Sequence, residues 1–74
     1  MRLQETITLF KRLDRLIRCY ATGSPDQLAR RLDVSKSTVH RYITELREDF
    51  DAPIKFSRDR VTYYYTEDFE LRFE

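Results

Sequence analysis

Two helix-start signals stand close together at Ser24 and Ser35, and they constrain this chain more than any other feature. Ser24 is followed by Pro25 and Gln27, so a hydroxyl cap, a proline at the first helical position and a reciprocal capping partner fall in register. Ser35 repeats the hydroxyl cap a short distance on. A helix that begins there confines the preceding one to about Pro25 to Leu32, with Asp33-Val34 as a tight turn. Leu28, Ala29 and Leu32 form the apolar side of the shorter helix, and Val39, Ile43, Leu46 and then Phe50 form that of the longer. The small side chain of Ala29 permits close approach, Val34, Val39 and Ile43 supply apolar filling, and Asp49-Phe50-Asp51-Ala52-Pro53 ends the pair.

The flanks read as one more helix and a hairpin. From Leu3 to Tyr20, the residues Leu3, Ile7, Phe10, Leu13, Ile17 and Tyr20 recur three or four apart, with Leu9 and Leu16 widening the stripe. Gly23 is expected to close this helix in a left-handed conformation, and Cys19 to be core or boundary packing. After Pro53 the period changes to alternation. Ile54 and Phe56 flank Lys55, and beyond the polar Ser57-Arg58-Asp59-Arg60 come Val61, Tyr63 and Tyr65, alternating with Thr62, Tyr64 and Thr66. Two short antiparallel strands and a four-residue loop follow from this pattern. Phe69, Leu71 and Phe73 alternate with Glu70, Arg72 and Glu74, which makes the C-terminal end a candidate third strand. The expected fold is therefore mostly α with a small antiparallel β element, an α+β domain over 1–66 and a strand-like tail over 67–74.

Composition narrows the function. At 74 residues and 41% hydrophobic, the chain is one ordered domain with a small core and no room for a separate catalytic or sensor unit. Cys19 is the only cysteine, which excludes an internal disulfide and fits a reducing compartment. No apolar run approaches the roughly 20 residues a membrane span needs, so a cytoplasmic location is expected. Net charge is +1, from 14 basic and 13 acidic residues. The tail from Thr66 holds one basic and four acidic residues, which leaves 13 basic and nine acidic before it, an excess of four.

That excess surrounds the longer helix of the pair, whose open side carries Lys36, Ser37, His40, Arg41, Thr44 and Arg47. These side chains bond phosphates or base edges, and a helix of this size enters the major groove of duplex DNA. Val34-Ser35-Lys36-Ser37-Thr38-Val39-His40-Arg41-Tyr42-Ile43-Thr44-Glu45-Leu46, after Gln27-Leu28-Ala29, resembles the winged helix-turn-helix domain of bacterial DeoR-type and WYL-type transcriptional regulators. Ala52-Pro53-Ile54-Lys55-Phe56 and Tyr63-Tyr64-Tyr65 are similar to the wing that follows in that family. The resemblance spans roughly Leu13 to Tyr65. It implies a three-helix winged helix-turn-helix, with the recognition helix over 35–49 in the major groove and the wing over 54–65 on the backbone or minor groove. It further implies that Ser35, Lys36, Ser37, Thr38, His40 and Arg41 occupy recognition positions, with Arg58 and Arg60 at the wing tip. Two positions depart from the family pattern: Asp33 stands where the turn usually has glycine, and the wing loop has none. Such regulators usually carry an effector-binding domain, for which these residues leave no space.

Each assignment has a plainer counterpart. Ser35 and Thr38 can serve as cap and packing alone. Lys36, Arg41 and Arg47 can form an ordinary solvated face. His40 lacks the partners that a metal ligand or catalytic base needs, and the tyrosine run suits strand packing better than base stacking. Phe69, Leu71 and Phe73 either cover the domain's own core or pair with a second copy, and Leu3, Ile7 and Phe10 at the start of the first helix are an alternative homodimer surface. The expected function is sequence-specific binding of double-stranded DNA in transcriptional regulation. A protein-interaction module that does not read DNA is the alternative, motivated by the low net charge and the acidic tail. No enzymatic activity is expected, since there is no Gly-rich phosphate loop, no clustered metal ligands and no nucleophile with a paired base. No cofactor or small molecule is expected.

Overall fold

The structure is a computed structural model that describes residues 3–72. Three helices precede a two-stranded antiparallel sheet: α1 (Leu3–Arg18), α2 (Pro25–Leu32), α3 (Lys36–Asp49), β1 (Ile54–Ser57) and β2 (Thr62–Tyr65). The α+β winged architecture expected from the sequence is the one observed. No helix is long and apolar enough to cross a membrane among the described residues.

Local chemistry sets the element ends. The Ser24 hydroxyl accepts from the Gln27 N–H at 3.2 Å while the Gln27 carboxamide oxygen accepts from the Ser24 N–H at 2.8 Å, which completes the capping box of α2. Ser35 caps α3 by accepting from the Thr38 N–H at 3.1 Å. Between them Asp33 takes φ +56°, and the bonds Asp33 N–H to Arg30 C=O and Val34 N–H to Ala29 C=O absorb the carbonyls that end α2. Asp tolerates this left-handed conformation, so the turn closes without glycine.

α1 closes by the same device at an unexpected residue. It stops at Arg18, short of Tyr20, and Tyr20 takes φ +55° while Ala21 N–H reaches Leu16 C=O at 2.9 Å. Gly23 is left-handed as expected, at φ +70°, but it does not close α1. A Cβ there would stand 2.4 Å from Gln27 Oε1 and 2.9 Å from Gln27 Cβ, so glycine makes room for the capping side chain. Cys19 lies in the closing turn and is exposed, not packed in the core or its boundary. Tyr20, expected on the apolar stripe, is likewise exposed.

The core gathers Leu9, Phe10, Leu13 and Ile17 of α1, Leu28, Ala29 and Leu32 of α2, and Val39, Ile43 and Leu46 of α3. Tyr42 joins them at 4% exposure, its ring edge-on to Phe10 with centroids 5.2 Å apart, while Phe50 is only half-buried. The sheet seals the remaining side with Ile54 and Tyr63, in the register Ile54↔Tyr65 to Ser57↔Thr62.

The hairpin departs from simple alternation. Thr62, expected on the polar face, is fully buried, because Thr22 from the α1–α2 connection lies against it with the two hydroxyl oxygens 3.0 Å apart. The Thr22 hydroxyl also accepts from the Tyr63 N–H at 2.8 Å, so one side chain satisfies a donor on the open edge of β2. Val61, expected to face inward with Tyr63 and Tyr65, belongs to the loop, is 46% exposed and takes φ +54°. A β-branched residue there is strained by about 1–2 kcal/mol. Val61→Gly is expected to raise stability by about 0.5–1 kcal/mol after glycine's greater unfolded-state freedom is subtracted. Thermal unfolding reads this as a Tm several degrees higher, and an unchanged Tm would show that the loop holds Val61 without strain.

The tail does not extend the sheet. Residues 66–72 contain no strand, and Phe69 and Leu71 are half-buried against the core of their own domain. Arg18 donates to the Phe69 carbonyl and the Phe69 ring meets Tyr65 at 5.0 Å, so side-chain anchoring, not strand pairing, holds this segment. Phe73 and Glu74, at the end of that candidate strand, lie outside the described residues.

Candidate nucleic-acid interface

Burial of Val39, Tyr42, Ile43 and Leu46 turns the opposite side of α3 outward. Lys36, Ser37, His40, Arg41 and Thr44 are all exposed, and the structure brings them together on that one side. The cations are lightly tethered. Lys36 Nζ lies 3.7 Å from Asp26, and Arg41 Nε lies 4.0 Å from Glu45 with its guanidinium 5.4 Å from the Tyr42 ring centroid. Each member of these pairs keeps more than a third of its side chain exposed, so the pairs stabilise the fold by well under about 1 kcal/mol and exchange readily for a phosphate.

The hydroxyls divide by task. The Ser35 oxygen serves the cap and also lies 2.8 Å from Thr38 Oγ1 and 3.2 Å from Ser37 Oγ. Thr38 is half-buried in that cluster, whereas Ser37 and Thr44 are exposed. Arg47 is exposed too, yet its Nε donates to the Ile54 carbonyl at 3.1 Å and braces α3 against β1. His40 is exposed, and among the described residues no group of three or more His, Cys, Asp or Glu side chains could hold a metal ion.

The two loop arginines are separated by their contacts. Arg58 is exposed and has no partner among the described residues, while Arg60 folds back with its guanidinium 5.1 Å from the centroid of Tyr20. Tyr20 in turn stacks on Tyr64 at 6.2 Å. Lys55 is exposed on β1 in register with Tyr64, a cation beside the loop that the Ile54-Lys55-Phe56 alternation could have singled out.

A second polar network fixes the hairpin to α1. Asp14 accepts from the Tyr65 hydroxyl at 2.6 Å and from Arg18 Nε at 3.0 Å, and Arg18 lies over the Tyr65 ring at 5.2 Å. Burial pushes the Tyr65 phenol well above its usual range, and donation to Asp14 and the charge of that carboxylate push the same way. Burial also raises the Tyr63 phenol. Both tyrosines therefore stay neutral, which is the form strand packing needs.

A family model described as an HTH (helix-turn-helix) domain matches residues 12–65, from within α1 to the last residue of β2. No curated protein and no solved structure matches significantly.

Proposed function

The chain belongs to the helix-turn-helix domain family, and from that premise we propose that it is a sequence-specific duplex-DNA-binding transcriptional regulator of the DeoR or WYL kind. In this reading α3 enters the major groove, Ser37, His40, Arg41 and Thr44 read base edges, and Lys36 meets phosphate. Ser35 and Thr38 position the helix start, and the loop arginines Arg58 and Arg60 meet the backbone or minor groove. The observation that carries it is the outward side of α3, where small polar and cationic residues replace the apolar ones found on the inward side. A second copy on a paired half-site fits the family's use of two-fold operators. Leu3, 75% exposed beside half-buried Ile7, favours the start of α1 over the tail as the surface between copies, because Phe69 and Leu71 already cover their own core.

Salt dependence tests the reading. Phosphate contacts from Lys36, Arg58, Arg60 and one arginine of α1 give an expected slope of log affinity on log salt between about −3 and −4. Fluorescence anisotropy of a labelled duplex measures it, and an affinity flat in salt would overturn the assignment.

A further inference from the structure

Three arginines outside α3 gather at one concavity. Arg12 and Arg15 of α1 and Arg31 of α2 line one open concavity of about 330 Å³, with Leu16 beside them. The carboxylates that form ion pairs do so elsewhere: Asp14 with Arg18, Asp26 with Lys36, Glu45 with Arg41 and Glu70 with Arg72. None of the three guanidiniums has a carboxylate partner among the described residues.

We propose that this concavity between α1 and α2 is a phosphate-binding site, separate from the base-reading residues of α3. Guanidiniums brought together without a counter-charge repel one another, and a bound anion offsets that repulsion. The planar fork of arginine matches the oxygens of a phosphoryl group, and its charge persists at any physiological pH. The C-terminal end of α2 would by itself repel an anion. Arg12 counters this by donating from Nη2 to the Arg31 carbonyl at 3.1 Å, which covers the negative end of the helix and holds one guanidinium at the rim with its other N–H groups open. The volume accommodates a phosphoryl group with the first unit attached to it. That phosphate comes either from the DNA backbone or from a free phosphorylated small molecule.

The test uses the whole chain and the double variant Arg15→Gln/Arg31→Gln, which leaves the Arg12 bond to the Arg31 backbone in place. Both replaced side chains are exposed, so the fold is expected to persist, with Tm as the control. Amide NMR shifts are followed during titration with inorganic pyrophosphate, and duplex affinity is measured against salt for both proteins. Saturable shifts at Arg15, Leu16 and Arg31 that vanish in the variant, with duplex affinity unchanged, identify a free phosphorylated ligand. A variant salt slope shallower by about 1.8, with affinity reduced alike for all duplexes, identifies the DNA backbone. Either result supports the site. No saturable pyrophosphate shift together with no change in duplex binding by a folded variant overturns it. The pyrophosphate titration involves no DNA, so failure of the DNA reading leaves it independently decided.

Discussion

Replacing Lys36 and Arg41 together by alanine is expected to weaken duplex binding about 30-fold or more and to leave thermal unfolding almost unchanged. The first half follows from the roughly 1–3 kcal/mol that Arg41 contributes when it meets a base edge, with the phosphate contact of Lys36 lost beside it. The second half follows from geometry. The Lys36–Asp26 pair at 3.7 Å and the Arg41–Glu45 pair at 4.0 Å are too exposed to matter to stability, and alanine's helix propensity compensates for much of what is lost. Anisotropy and a thermal melt on the same preparation separate the outcomes. Retained binding would remove α3 from the interface, and a large fall in Tm would show that these side chains serve the fold.

The other large effect concerns the core. Leu13 is fully buried in a cluster drawn from all three helices and the sheet. Leu13→Ala is expected to cost about 3–5 kcal/mol, by lost transfer energy and by the cavity left where neighbours cannot collapse. A domain of this length has a total stability on the order of 4–11 kcal/mol, so the variant retains little margin at 37 °C. Urea unfolding reads the loss as a lower midpoint with the slope preserved. A loss under about 1 kcal/mol would mean that α1 is not tightly docked on the rest of the fold.

What could be read in the sequence is what depends on near neighbours. Ser24 and Gln27 are three residues apart, Ser35 and Thr38 likewise, and their bonds form as the caps predict. The spacing of Val39, Ile43 and Leu46 fixed the buried side of α3, and with it the outward group of Lys36, Ser37, His40, Arg41 and Thr44. What escaped depends on distant partners. Thr22 and Thr62 are 40 residues apart, and nothing in the alternation of β2 marks a threonine that will be buried by another. Arg47 appears as one more exposed cation until Ile54 folds beneath it, and Arg60 appears as a loop tip until Tyr20 is placed beside it. Its spacing places Tyr20 on the stripe, but the left-handed closure of α1 carries it outward. The gathering of Arg12, Arg15 and Arg31 likewise exists only once α1 and α2 are packed together.

On the proposed function, the outward side of α3 reads a DNA sequence. Selection of bound duplexes from a random pool by the intact chain tests it most directly. The expected result is enrichment of a defined motif, repeated as two inverted half-sites about one helical turn, roughly 10 base pairs, apart, and loss of that enrichment with Lys36→Ala/Arg41→Ala. Recovery of a pool with no enriched sequence, from a protein that is folded and present in excess, would contradict it.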